Sequence, residues 1–275
     1  MQWEPTLAGR GGVSLSRRSW MIGAPKAACI LVHGSGEHCG RYDRLGRFLA
    51  EGGLRVEAYD LRGHGYSGGE RGHVWSFQDY LADLDMVWAA VRSAWPGLPM
   101  FLYGHGCGGL IAVHWASRRW RDPRGLVLSS PWLRAARKAS WFRSGLAGAL
   151  NRACPRLPTA RGPDPRHLSR DEAVVKRYRA DLKVVRRLTA RWLSESMRAM
   201  AVAASVAHSL RTPCLLVQGD ADRVADPAAS VGFVQGLPSA DRTVKLYRGG
   251  YHELHSDVGW EQVLKDVRSW LSDRA

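Results

Sequence analysis

Short apolar runs recur along the first half of the chain and return near its end. They lie at 27–32, 54–59, 99–103, 125–130, 213–218 and 243–248. Each run is too short for a typical helix and is bounded by polar or turn-forming residues. Such runs are typical of buried strands, so the pattern predicts six β-strands.

Helical periodicity fills intervals between these runs. Apolar residues repeat at helical spacing over 77–91 and again over 260–271, and Ser76 and Asp79 have the spacing of a capping box. Parallel neighbouring strands require crossover helices. The alternation therefore predicts the α/β class, with a mostly parallel sheet flanked by helices.

The alternation stops between residues 132 and 208, where arginine, proline and helical patterns replace the strand pattern. We interpret this stretch as an inserted, mostly helical cap, with a loop around the prolines at 155–165. The predicted organisation is a core formed by 1–131 and 209–275, and a cap formed by 132–208.

Positive charge is concentrated in the predicted cap. The chain has a formal net charge of +15, and residues 134–191 contain sixteen Lys and Arg against four Asp and Glu. Three interpretations are open: a solvated helical face, a patch that contacts an anionic membrane, and a nucleic-acid surface. Aromatic and aliphatic residues interleave with the basic ones at 132–150, and no nucleic-acid-binding motif is recognisable. We therefore expect no nucleic-acid partner.

Composition and cysteine usage indicate a soluble, cytoplasmic protein. Hydrophobic residues make up 45% and charged residues 24%, which excludes a disordered or fibrous chain. The five cysteines form no C-x-x-C pair, which favours a reduced compartment. We find neither a signal peptide nor an apolar run of the roughly 18 to 20 residues that span a bilayer. Membrane contact through the cap would then be peripheral, and no metal or cofactor is implied.

A tight turn follows the third predicted strand. Residues 103–109 read YGHGCGG and lead into a helical stretch. They match the G-x-S-x-G frame of a nucleophile elbow, in which small residues permit a sharp turn that presents one side chain above the sheet. Gly104 and Gly108 set the register, so the nucleophile position is Gly106. Moving that position to Cys107 would place His105 where a small residue is needed.

Five further segments accompany the elbow. They are HGSGEH at 33–38, DLRGHGYS at 60–67, LSRD at 168–171, GDADR at 219–223 and YHELH at 251–255. With these motifs in this order, essentially the whole chain resembles the monoacylglycerol lipase and lysophospholipase-like group of serine aminopeptidase-type α/β-hydrolases. The resemblance implies an α/β-hydrolase fold whose helical cap covers a pocket for an apolar acyl ester or similar lipid.

The resemblance also implies roles, position by position. Asp222 would orient His252, the general base, and the backbone N–H groups of Ser35 and Cys107 would form the oxyanion hole. Gly106 stands where the family has serine. Because glycine has no side chain, no acyl-enzyme can form at this position.

Neighbouring residues offer alternative chemistry. Ser35 and Cys107 are alternative nucleophiles, Asp220 and Asp226 are alternative acids, and His255 is an alternative metal ligand together with His252. For each we favour the simpler interpretation: a backbone donor, a small apolar filler, two turn or surface residues and a loop histidine.

Two functions from different classes follow as expectations. The first is a carboxylic-ester hydrolase of the monoacylglycerol lipase type whose Ser-His-Asp mechanism is disabled at Gly106. The second is a lipid-binding or sensing pseudoenzyme that holds an acyl ligand without hydrolysing it. The presence of Asp222 and His252 favours the first, because a pure binding protein needs no base.

Overall fold

A computed structural model describes residues 1–119, 122–136 and 151–275. The strands of these residues are β1 Gln2–Ala8, β2 Ser14–Trp20, β3 Ala27–Val32, β4 Leu54–Tyr59, β5 Met100–His105, β6 Gly125–Ser129, β7 Pro158–Arg161, β8 Arg187–Thr189, β9 Cys214–Gly219 and β10 Arg242–Tyr247. Their α-helices are α1 Asp43–Glu51, α2 Phe77–Ala94, α3 Cys107–Arg118, α4 Glu172–Ala180, α5 Ala190–Val206, α6 Pro227–Gln235 and α7 Trp260–Ser272.

One large sheet has the strand order β1-β2-β4-β3-β5-β6-β9-β10. From β4 to β10 all neighbouring strands are parallel, and β1 and β2 join antiparallel at one edge. All six predicted runs are strands of the parallel part. The runs at 27–32 and 54–59 coincide with β3 and β4, and the ends of the other four differ from their strands by at most two residues. The prediction of a mostly parallel α/β sheet is confirmed.

Successive side chains of the central strands pack in two different hydrophobic clusters. Ala28, Ile30 and Val32 of β3 pack in the cluster that includes residues of α2, α3 and α5. The intervening Cys29 and Leu31 pack in the cluster with α1 and α7. Helices therefore cover both faces of the sheet, as crossover connections require.

The predicted start of α2 is confirmed in detail. The Ser76 hydroxyl accepts a hydrogen bond from the Gln78 amide at 3.3 Å, and the Asp79 carboxylate accepts one from the Ser76 amide at 3.2 Å. Together these bonds satisfy backbone donors that have no partner within the helix.

Strands β1 and β2 do not follow from the hydrophobic pattern. β1 is an edge strand whose residues are all exposed or half-buried. β2 pairs with both β1 and β4, and it is mainly polar in sequence although four of its seven residues are buried. Polar side chains stabilise the position of the two strands. For example, Glu4 of β1 forms an ion pair at 2.9 Å with Arg55 of β4. A strand that buries few apolar residues gives little hydrophobic signal.

The inserted stretch contains a strand pair as well as helices. Strands β7 and β8 are antiparallel, so part of the loop predicted at 155–165 is a strand. Trp192 and Ala199 of α5 pack in the same core cluster as α2 and α3. Most of the aromatic and basic stretch at 132–150 lies outside the described residues, and the predicted membrane patch stays a prediction. No helix in the described part of the chain is long and apolar enough to cross a membrane.

Candidate active site

The turn between β5 and α3 has the backbone of an elbow. Gly106 has φ +52° and ψ −119°, a conformation that favours glycine. Its amide donates to the Ser129 carbonyl at 3.0 Å, and its carbonyl accepts from the Trp132 amide at 2.9 Å. A Cβ on Gly108 would collide with the Val32 carbonyl oxygen, so the helix start approaches β3 closely only because position 108 is glycine.

Two loops at the carboxyl ends of β9 and β10 bring an acid and a base together. The imidazole Nδ1 of His252 lies 2.8 Å from Oδ2 of Asp222, and both residues are buried. The Val224 and Ala225 amides donate to Oδ1 at 2.8 and 3.0 Å, and Gln218 Nε2 donates to Oδ2 at 3.1 Å. These bonds fix the carboxylate, which in turn orients the ring.

Asp222 and His252 also shift each other's pKa values. Burial opposes the charged form of each group, but their mutual attraction and hydrogen bonding outweigh burial. The pKa of Asp222 lies below its ordinary value, and the pKa of His252 lies above its ordinary value of 6.5. The carboxylate therefore stays ionised near neutral pH and holds a proton on Nδ1.

The second ring nitrogen lies next to the elbow. A Cβ on Gly106 would be 3.3 Å from His252 Nε2 and 3.6 Å from Gly34 Cα. The place of the missing side chain is therefore in contact with the base. Among the described residues, no hydroxyl or thiol forms a hydrogen bond with the His252 ring, whose partner is Asp222.

One cavity of about 230 Å³ joins these groups to Ser35 and Cys107. Cys107 is the first residue of α3, so its N–H has no carbonyl partner within the helix. Ser35 lies in the loop after β3 and lines the same space. The two predicted oxyanion-hole residues and Gly106 are thus brought to one cavity with His252.

The remaining lining of this cavity is largely apolar. Its large side chains include Trp132, Leu188, Trp192, Leu193 and Val224. The rings of Trp132 and Trp192 stack with centroids 5.8 Å apart. A lining of this kind suits a hydrocarbon chain.

Glu37 also lines the cavity, and the sequence analysis assigned it no role. Its carboxylate accepts a hydrogen bond from the Tyr42 hydroxyl at 2.8 Å. Burial, and then the nearby Glu253 carboxylate, raise the pKa of Glu37 to about 7, although Arg41 opposes this shift. The only signal in the sequence is its place in the 33–38 motif, because Glu253 and Arg41 are brought near it by folding.

The residues considered as alternative acids or metal ligands make other contacts. Asp220 accepts a hydrogen bond from the Gly249 amide, and Asp226 caps α6 and pairs with Arg134. His255 is buried and stacks on Tyr42 with centroids 4.5 Å apart. Within the described residues there is no group of three or more His, Cys, Asp and Glu that could hold a metal ion.

The thiol at the elbow is poorly suited to act as a nucleophile. Cys107 is 2% exposed, and burial raises the pKa of its thiol to about 12. At neutral pH the sulfur therefore keeps its proton, and the thiolate is the form that attacks.

Residues 23–259 match the model of the serine aminopeptidase S33 family of hydrolases. The chain belongs to this family. It is 36% identical to human monoglyceride lipase over 276 residues, which cover 98% of the chain and 90% of the human protein. The crystal structure of Paleococcus ferrophilus monoacylglycerol lipase superimposes with a TM-score of 0.87 at 34% identity, covering 95% of this chain and 99% of that one.

A third relative is longer than this S33-family chain. The chain is 33% identical over 267 residues to an abhydrolase domain-containing protein of Dictyostelium discoideum, and the match covers 28% of that protein. The α/β-hydrolase fold and the monoglyceride lipase-like membership that the motifs implied are confirmed by these matches.

Proposed function

We propose that this chain is by family a carboxylic-ester hydrolase of the monoacylglycerol lipase or lysophospholipase type, and that Gly106 disables its Ser-His-Asp mechanism. One observation carries the proposal: His252 Nε2 faces the Cβ position of a residue that has no side chain. Residues are present for the other roles of the serine mechanism: Asp222 holds the His252 ring, and Ser35 and Cys107 line the cavity.

The lack of a nucleophile at position 106 has a large effect on the expected rate of ester hydrolysis. In an acyl-enzyme mechanism the serine oxygen bonds to the acyl carbon while histidine takes its proton. Removing only the nucleophile from a serine protease costs about 10⁶-fold in turnover, and the oxyanion hole and substrate binding give the residual rate. We therefore expect the serine mechanism to be lost in this chain, while Asp222, His252 and the two backbone donors remain as its acid, base and oxyanion-hole groups.

The lipid class is supported by the cavity and by the relatives. The apolar lining fits an acyl chain, and the human and Paleococcus relatives are named as monoglyceride and monoacylglycerol lipases. We further propose that 132–208 act as a cap over the core 1–131 and 209–275. Its excess of Arg and Lys would contact anionic membrane peripherally.

A second candidate is a lipid-binding or sensing pseudoenzyme. The observation in its favour is that the apolar cavity is present although position 106 lacks a hydroxyl. Native mass spectrometry of the purified protein tests it, because a co-purified acyl ligand at stoichiometric amount supports storage of the ligand. A ligand-free protein that binds added monoacylglycerol weakly argues against it.

The main proposal is tested with a fluorophosphonate probe, which labels only an activated nucleophile. We expect no labelling of the parent and labelling of Gly106→Ser. Gly106→Ala is the matched control, because it adds the Cβ without the hydroxyl and should stay unlabelled. Labelling of the parent would mean that another residue is the nucleophile, and an unlabelled serine variant that is folded would show that the remaining groups are not arranged for catalysis.

A further inference from the structure

We propose that the LSRD motif at 168–171 and Asp257 form an anchor that positions His252. The sequence analysis gave this motif no role of its own. None of the anchor residues lines the cavity, so they are positioning residues: Leu168, Ser169, Arg170 and Asp257. The kinetic part of the test rests on the proposed function, because only Gly106→Ser has a serine mechanism to measure.

The loop that carries His252 is held on both sides of the histidine. The Tyr251 amide donates to Asp257 Oδ2 at 2.9 Å. The Glu253 amide donates to the Leu168 carbonyl at 2.8 Å. One neighbour of His252 is therefore bonded to a carboxylate within the loop, and the other is bonded directly to the inserted stretch.

Asp257 connects this loop to the inserted stretch and is 1% exposed. Its Oδ1 accepts a hydrogen bond from the Arg170 amide at 2.6 Å, and its Oδ2 accepts one from Arg170 Nε at 2.9 Å. The Ser169 hydroxyl lies 3.2 Å from Oδ1 and 3.1 Å from the Ser256 carbonyl oxygen. A buried carboxylate with a guanidinium and two backbone amides as donors is firmly held, because bonds to charged groups are the stronger ones.

Each residue of the LSRD motif makes a contact of its own. The Leu168 side chain packs in a small cluster with Tyr178 and Val184, while its carbonyl holds the loop. Asp171 begins α4, where its carboxylate accepts a hydrogen bond from the Ala173 amide at 2.8 Å. The motif therefore starts a helix of the inserted stretch and bonds that stretch to the loop of the base.

The position of this loop fixes the distance between the base and its acid. His252 Nδ1 lies 2.8 Å from Oδ2 of Asp222, which belongs to another loop. Misplacing a catalytic group by about 1 Å costs up to about 10²-fold in rate. Loss of the anchor should therefore slow the chemical step and leave ester binding unchanged, because the anchor lies outside the cavity.

The kinetic test places Asp257→Asn in the full-length Gly106→Ser variant, with monooctanoylglycerol as substrate. The substitution puts an NH₂ group where N–H donors need an acceptor. We expect kcat to fall by about 10- to 10²-fold and KM to change little. Adding Arg170→Gln to Asp257→Asn should cost less than the product of the two single losses, because the two residues form one contact.

Asp83→Asn is the matched control, because Asp83 is also a buried acid held by an arginine and a backbone amide. Its carboxylate accepts from Arg62 Nε and Nη2 at 2.7 Å and from the Arg10 amide at 2.9 Å, and it does not line the cavity. Asp83→Asn should lower the melting temperature as Asp257→Asn does and leave kcat unchanged. Equal losses of kcat in the two variants would overturn the proposal.

A second measurement needs no serine. In the parent, the proton between His252 Nδ1 and Asp222 gives a downfield proton NMR resonance, which is assigned by its loss in His252→Gln. We expect this resonance to shift or broaden in Asp257→Asn and to stay unchanged in Asp83→Asn. Arg170→Lys keeps the positive charge and should shift it less than Arg170→Gln does.

The outcomes separate this inference from the proposed function. Should Asp257→Asn not fold, Arg170→Gln gives the same test, because its side chain is 33% exposed and its loss disturbs the core less. If Gly106→Ser is active and the folded anchor variants keep its kcat, the inference is wrong and the proposed function stands. If Gly106→Ser is inactive, the proposed function is wrong, and an unchanged Nδ1 resonance in the anchor variants would overturn the inference as well.

Discussion

The loops at the carboxyl edge of the sheet differ in what they present to the cavity. Those after β9 and β10 present Asp222 and His252, joined at 2.8 Å and held by further hydrogen bonds. The loop after β5 presents only backbone at Gly106, although its turn and its close packing are those of an elbow. The turn does not depend on a side chain at position 106: the close packing of Gly104 and Gly108 maintains it, whereas the serine mechanism of the family needs a hydroxyl that Gly106 lacks.

The largest expected effect comes from restoring that oxygen. Gly106→Ser should raise hydrolysis of a short-chain p-nitrophenyl ester by up to about 10⁶-fold, the factor lost when a serine protease loses its nucleophile. The measurement is initial rate against ester concentration for both proteins. A serine variant no faster than the parent would show that the acid–base half is not arranged to use a hydroxyl.

The second-largest effect is expected when Asp222 is replaced in the Gly106→Ser variant. Adding Asp222→Asn to Gly106→Ser should lower kcat by about 10⁴-fold, because the amide no longer holds the imidazole in the tautomer that accepts a proton at Nε2. Asp220→Asn is the matched control, since Asp220 bonds to the Gly249 amide away from the ring. Equal losses in the two variants would remove the special role of Asp222.

The pH dependence of Gly106→Ser tests the electrostatics of the pair. Only neutral His252 accepts a proton, and Asp222 raises the pKa of His252 above 6.5. Activity should therefore increase with pH with a midpoint above 6.5, and be lost as pH falls through that midpoint. A kcat/KM profile measures it, and Asp222→Asn should move the midpoint down because burial alone lowers the pKa of the ring. A midpoint at or below 6.5 in Gly106→Ser would contradict the assignment.

The smallest effect is on stability. A non-glycine residue at φ +52° stores about 1 to 3 kcal/mol of strain, so Gly106→Ser should lower the free energy of unfolding by that amount. Urea denaturation of the parent, Gly106→Ser and Gly106→Ala measures it, and the two variants should agree because both add the same Cβ. A serine variant as stable as the parent would mean that the elbow relaxes.

Much of the fold is predictable from local patterns. The central strands are apolar on both sides because helices cover both faces, so runs such as 27–32 predict strands from their short length and their turn-forming flanks. Strand β1 is missed because it is an edge strand whose residues are exposed or half-buried, and β2 is missed because most of its residues are polar although four are buried. Strand β7 escapes it because prolines and arginines surround a pair of only three to four residues per strand.

Some residues of the candidate site are also predictable from the sequence, whereas others are not. The resemblance of the motifs to the family predicts Gly106, Asp222 and His252 as site residues, and each of them follows a predicted strand. The cluster of Glu37, Arg41 and Glu253 has no such signal, since Arg41 Nη2 lies 2.6 Å from Glu253 Oε2 across more than two hundred residues of chain.

The alternation of strands and helices, the elbow frame and the lack of a hydroxyl at position 106 follow from the amino-acid sequence, because periodicity, glycine spacing and side-chain identity are local properties. The distances come from folding: 2.8 Å between Asp222 Oδ2 and His252 Nδ1, and 3.3 Å from His252 Nε2 to the position that a Cβ would take on Gly106. Burial and nearby charges shift the pKa values of Glu37 and His252 in the folded chain. These shifts depend on groups far apart in sequence, which meet only when the parallel strands align their ends at one edge.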